Sequence, residues 1–237
     1  MVDTPFEATH TPLQLWFYAI YLFTTSRHGV SAKELERQLG VTYKTAWRMG
    51  HEIRKHMAAV DGDRKLKNVV EIDETVIGGY MAGSVPGRSG VNKTLLLGML
   101  ERDGDVITQV VPDAKRETLF PHIEEHVESG AEIHTDEHTA YKKLNRRYSH
   151  KTVNHRRKEY ARDGVHVNGI ESFWKIFKDS VRGTHMHVSR KHLMKYAKEF
   201  EFRHNNRNIA KTMFPRLVSE FLSEKGVKAS APSAQAS

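Results

Sequence analysis

The stretch NVVEIDETVIGG, residues 68–79, decides the fold. It is a short run rich in valine and isoleucine and closed by two glycines, so it reads as a β-strand rather than a helix. Asp73 sits in the middle of this apolar run, where an acid is costly unless it faces the edge of a site, a partner or a cation. Moving toward the C-terminus, NKTLLLGMLER (92–102) and DVITQVVPD (105–113) are two more β-rich runs, with Asp103-Gly104 as a tight-hairpin signal between them. The connection Tyr80 to Val91 is rich in Gly and Ser. KRETLFPHIEEHVES (115–129) then predicts a helix, AEIHTD (131–136) a fourth strand and EHTAYKKL (137–144) a short helical turn. The order is βββαβα, an α/β arrangement in which the first and fourth strands are commonly neighbours. Lys151 to His155 is a candidate fifth strand and Asp163 to His166 a loop.

From Asn168 the chain is helical again. Ile170, Phe173, Trp174, Phe177 and Val181 form a buried stripe at helical spacing. Leu193, Tyr196, Ala197 and Phe200 do the same in a further helix. On the N-terminal side of the opening strand, a polar stretch from Asp61 to Lys67 reads as a linker, and residues 13–57 read as three helices. In the second of these Ser31 is the expected N-cap, with Glu34 at the reciprocal capping position, and Gly40 ends the helix. The turn Val41-Thr42-Tyr43 leads into a longer helix that presents Lys44, Thr45 and Arg48 near its start, the layout of a DNA-binding helix-turn-helix. A plain three-helix bundle fits the same pattern. The expected domains are therefore 1–60, a helical module, 66–224, a catalytic unit, and 225–237, a disordered tail.

Charge narrows the partner. Of the 237 residues, 142–211 hold 19 Lys and Arg against six Asp and Glu, while the rest of the chain is net acidic. A basic block of this size suits a polyanion, because each neutralised phosphate releases counterions. A solvated basic surface is the plainer alternative. The longest apolar run, Leu15 to Phe23, is far short of the roughly 20 residues of a spanning helix, so no membrane association is expected. The chain has no cysteine, which excludes disulfides, thiol nucleophiles and cysteine-ligated zinc, and fits a cytoplasmic location.

Three carboxylates stand out by position. They are Asp73 inside the first strand, Asp136 at the end of the fourth, and Glu171 in the first turn of a later helix, with 34 residues between the last two. Converging carboxylates are what hard divalent cations require. Two such ions can promote in-line attack on a phosphodiester without a covalent nucleophile. Asp136 can equally cap a helix starting at Glu137, and Asn168 with Glu171 satisfies the logic of a capping box. Lys175, Lys178 and Arg182 follow Glu171 along one polar stripe, where they either border scissile DNA or form an ordinary solvated face.

The stretches IDETVIGG, HTDEHTAY and VNGIESFWKIFK, with RGTHMHVSRKHLMKYAKEFEFRHN after them, closely resemble bacterial insertion-sequence transposases of the DDE class. The likeness runs from about Thr11 to Asn208. It implies a ribonuclease H-like catalytic domain related to retroviral integrases. Asp73, Asp136 and Glu171 would then be the catalytic and metal-binding triad for two Mg²⁺ or Mn²⁺ ions, with Asn168 as site support. It also implies nicking at transposon ends, attack of the freed 3′ hydroxyl on target DNA, and a homo-oligomer assembled on double-stranded DNA in the nucleoid. Members of this group typically carry an N-terminal zinc ribbon, and MVDTPFEATHTPLQLWF contains no cysteine, so no zinc is expected. The alternative is a shortened, catalytically idle transposase that regulates by binding DNA. A structure-selective nuclease on the same fold is a third reading. His185, Met186 and His187 with His192 are expected to have DNA-contacting or surface roles rather than to ligate a metal.

Overall fold

The computed structural model describes residues 6, 9–60, 64–78, 93–153, 164–186 and 188–222. The Tyr80–Val91 connection, the expected tail at 225–237 and His187 lie outside them. The chain divides into two compact units, residues 1–62 with 198–237, and residues 63–197. No helix among the described residues is long and apolar enough to cross a membrane.

In the first unit, α1 (Leu13–Thr25), α2 (Ala32–Leu39) and α3 (Tyr43–Val60) supply the three expected helices. The Ser31 hydroxyl accepts the Glu34 N–H at 3.1 Å and starts α2. Gly40 ends it in the left-handed region at φ 65°, which a side chain would strain. Thr42 then caps α3, its hydroxyl accepting the Thr45 N–H at 3.4 Å.

Trp16, Ile20 and Phe23 of α1 pack with Met49, Ile53 and Met57 of α3. The same core takes in Phe202 of α6 (Arg190–Asn205) and Met213, Leu217 and Phe221 of α7 (Ala210–Leu222). Residues 198–222, grouped by sequence with the catalytic unit, thus complete the core of the helical one. Within that core the Arg54 Nε donates to Glu199 Oε2 at 2.6 Å, both side chains being almost fully buried.

The second unit is built on a five-stranded sheet of order β3-β2-β1-β4-β5. The strands are β1 (Val69–Gly78), β2 (Lys93–Glu101), β3 (Val106–Val111), β4 (Glu132–Asp136) and β5 (Ser149–Val153). β1, β2 and β3 pair antiparallel, whereas β4 runs parallel to both β1 and β5. The α/β arrangement and the adjacency of β1 and β4 are as expected from βββαβα, and the order is that of the ribonuclease H-like fold the family resemblance implies. The hairpin between β2 and β3 turns at Asp103, which takes φ 59°.

Strand alternation separates two faces of the sheet. Val70, Ile72, Leu97 and Met99 face one way and pack under α4 (Arg116–His126), with Tyr141 and Leu144 from a 3₁₀ segment (Thr139–Arg146). Gly98 and Leu100 face the other way, against α5 (Asn168–Gly183). Of the stripe expected on α5, Ile170, Phe173, Trp174 and Phe177 are buried, whereas Val181, one turn further on, is half-buried.

Candidate active site

The position of α5 on the sheet is set by Gly98, whose backbone is the register partner of Asp73 across the β1–β2 ladder. A Cβ at Gly98 would lie 2.8 Å from Ile170 Cδ1 and closer still to the Trp174 ring, so only glycine admits the helix at this distance. With Trp174 seated on that gap, Glu171 and Asp73 line one cleft of about 310 Å³.

The start of α5 differs from the expected capping box. Val167, not Asn168, holds the cap position, and it makes no side-chain cap bond. Instead the N–H groups of Gly169 and Ile170 donate to Glu71 Oε2 on β1, at 2.8 and 3.1 Å. Asn168 is the exposed first residue of the helix that carries Glu171. Asp136 does not cap a helix at Glu137 either, because the 3₁₀ segment begins at Thr139 with His138 as its cap. One Asp136 oxygen accepts the His138 N–H at 2.9 Å.

Electrostatics tie these acids together. The Asp73 carboxyl is pushed up to about 7, first by burial and then by the negative charges of Glu74, Asp136 and Glu171. A group of mutually repelling carboxylates, partly withdrawn from water, lowers its energy either by holding protons or by gathering cations. Its donors are all hard oxygens, which fits Mg²⁺ or Mn²⁺. Asp73 and Glu171 line the cleft and Asp136 lies near enough to raise Asp73, so oxygens of these three could hold such ions.

Sequence reasoning did not pick out Glu74. It lines the same cleft, and it too is pushed above the usual carboxylate range by burial and by Asp136. The buried Tyr141 hydroxyl donates to Glu74 Oε1. The signal was available, because Glu74 is a second acid within the same apolar run as Asp73.

Lys175, Lys178 and Arg182 share the cleft with Asp73 and Glu171. Lys178 and Arg182 also border a neighbouring hollow of about 410 Å³ lined by Val76, Ile77 and Val188. In the helical unit, Lys44 and Arg48 are exposed on α3, with the Arg48 guanidinium 5.5 Å from the centre of the Trp16 ring. Thr45 is half-buried, its hydroxyl 3.1 Å from that of Thr42. Elsewhere in the second unit, His122, Glu125 and His126 on α4 bring their ligand atoms within 4.8 Å of one another, a metal-capable group apart from the carboxylates. His185 packs against Tyr196, with ring centres 4.7 Å apart.

The profile of the ISXO2-like transposase domain matches residues 65–205. A relative from Halobacterium salinarum, described as an uncharacterized protein in transposable element ISH50, is 27% identical over 218 residues. That alignment covers 84% of this chain and 72% of the relative. Among solved structures, the Mos1 strand transfer complex is similar at 11% identity and a TM-score of 0.38, covering 89% of this chain and 78% of that one. The Mos1 transposase paired-end complex with left transposon end is similar at 11% identity and a TM-score of 0.35, covering 86% of this chain and 78% of that one. The domain match spans more than half of the sequence and contains Asp73, Asp136 and Glu171, and the chain belongs to the family of ISXO2-like transposase domains.

Proposed function

We propose that this chain is a DDE-type DNA transposase that nicks insertion-sequence ends and joins the freed 3′ hydroxyl to target DNA. The observation that carries this reading is the convergence of carboxylates from β1, β4 and α5, whose negative charges add to burial in raising the Asp73 carboxyl to about 7. Two Mg²⁺ or Mn²⁺ ions held there by Asp73, Asp136 and Glu171 would supply the Lewis acidity that in-line phosphodiester exchange needs.

The chain's own residues then have separable tasks. Asp73 and Asp136, on adjacent parallel strands, and Glu171, on the helix above, offer oxygens from three rigid elements, so their spacing is set before DNA arrives. Lys175, Lys178 and Arg182 bind the backbone phosphates beside the cleft and hold the scissile bond at its mouth. Trp174 and the apolar face of α5 close the floor of the cleft. In the helical unit, α3 enters the major groove of the transposon end, with Lys44 and Thr45 in its first turn and Arg48 in its second. The name of the Halobacterium relative and the basic block at 142–211 both support a mobile-element role on double-stranded DNA. A homo-oligomer assembled on paired ends follows from the same reading.

The test is cleavage and joining of cognate end DNA with Mg²⁺ or Mn²⁺. Asp73→Asn and Glu171→Gln should each abolish both reactions while leaving end binding intact. If either variant joins DNA as well as the parent, the metal assignment is wrong. Hydrolysis without joining would instead identify a nuclease, and end binding with neither reaction a DNA-binding regulator.

A further inference from the structure

One pleat below the three acids lies a buried polar cluster that the chemistry above does not use. Its centre is Glu71, only 1% exposed, two residues before Asp73 and so on the same face of β1. Glu71 Oε2 accepts the N–H groups of Gly169 and Ile170, the two residues before Glu171. Its other oxygen is 3.1 Å from Arg102 Nη2 and 3.1 Å from His166 Nδ1. The same Arg102 nitrogen is 3.2 Å from Nδ1 of His134. His134 is the register partner of Glu71 and lies two residues before Asp136 on β4.

Each element that carries a triad acid is therefore gripped within the two residues preceding that acid. Building such a cluster removes a carboxylate and part of a guanidinium from water, and that is tolerable only with their partners in place. Gly169 shows how close the fit is, since a Cβ there would meet Glu71 Oε2 at 2.8 Å.

We infer that Glu71 is a positioning residue: it clamps the first turn of α5 to β1 and thereby sets Glu171 opposite Asp73. This inference rests on the metal-dependent reading of the site. Glutamine cannot replace Glu71, because it has one acceptor oxygen for two sets of donors. If that oxygen faces the Gly169 and Ile170 N–H groups, its NH₂ opposes the donor-only guanidinium of Arg102. Outer-shell partners of metal ligands commonly change affinity by about 10–100-fold.

The experiment uses the full chain with Mn²⁺ alone. It reads Mn²⁺ affinity by electron paramagnetic resonance, amide exchange of residues 166–175 by mass spectrometry, and the melting temperature. Glu71→Gln should speed exchange at Gly169 and Ile170 and weaken Mn²⁺ at least tenfold at temperatures far below melting. Gly169→Ala supplies a second variant: alanine favours helix, yet its Cβ displaces the Glu71 carboxylate, so the same two changes are expected in a folded protein. Either variant with parent-like exchange, or with Mn²⁺ affinity within twofold of the parent, overturns the clamp. A lowered melting temperature with unchanged affinity also overturns it, leaving Glu71 a purely structural residue. If the parent shows no Mn²⁺ binding that Asp73→Asn abolishes, the proposed function fails instead. The clamp is then judged on exchange alone, supported if the α5 amides loosen in both variants and overturned if they do not.

Discussion

Replacing Gly98 by alanine should move Glu171 away from Asp73 without touching either. The added methyl would sit 2.8 Å from Ile170 Cδ1, where carbon atoms ordinarily rest about 3.5–4.0 Å apart, so roughly 1 Å of overlap must be relieved. β2 lies between β1 and β3 in the sheet and cannot yield on its own, so the movement falls on α5. Overpacking of this kind costs about 1–3 kcal/mol. Displacing a catalytic group by about 1 Å can cost on the order of 100-fold in rate. Gly98→Ala should therefore lower the melting temperature by a few degrees and reduce strand transfer far more than that loss of stability explains. The assay pairs thermal melting with joining of end DNA at a temperature where the variant is fully folded. Trp174→Phe, which trims the crowded ring, should restore much of the joining when combined with Gly98→Ala, and the double-mutant cycle should show coupling of about 0.5–3 kcal/mol. A Gly98→Ala protein with parent-like melting and joining would refute the claim that this glycine sets the height of the helix. Additive effects in the cycle would refute the role given to Trp174.

Other outcomes follow from the same structure. His56, packed on Phe221 with ring centres 3.9 Å apart, is held down at about 4 by burial, opposed in part by Glu52. The unfolded chain takes up its proton near 6.5, so stability is fully present above that value and is lost as the pH falls toward 4, by about 2 kcal/mol between pH 7 and pH 5. Urea melts of His56→Gln against the parent should show that part of the acid slope disappear, and parallel slopes would rule it out. Glu199→Gln removes the counter-charge of the buried Arg54 and should cost about 3–5 kcal/mol in the same assay. A loss below 1 kcal/mol would mean the pair is dispensable. Lys178→Ala with Arg182→Ala should flatten the salt dependence of DNA binding by close to one unit for each phosphate no longer neutralised, measured by anisotropy between 50 and 200 mM salt. An unchanged slope would remove these cations from the DNA path. Arg48→Ala should weaken end binding with melting unchanged, and equal affinity would count against a groove-reading α3.

Much of the architecture was legible from local pattern. The run at 68–79, its successors and the βββαβα order specify the sheet, because strand alternation and turn chemistry act over a few residues. Ser31 and Gly40 bound α2 as read, since caps and left-handed turns are likewise local. Asp73 was conspicuous because an acid in an apolar strand has no inexpensive local explanation. Three matters needed the tertiary structure. The cap of α5 comes from Glu71, 98 residues away along the chain, which no capping pattern near Asn168 could reveal. Residues 198–222 complete the helical unit because Phe202, Met213, Leu217 and Phe221 fit the core around Trp16, and an apolar stripe does not say which core it will enter. Glu74 and Tyr141 became partners only when the 3₁₀ segment folded over the end of the sheet. Sequence determined which elements form and where charge accumulates, because those depend on neighbours along the chain. Which carboxylates share one cleft, and the burial and repulsion that raise Asp73 to about 7, depended on β1, β4 and α5 coming together, since burial and Coulomb forces act through space and are blind to sequence separation.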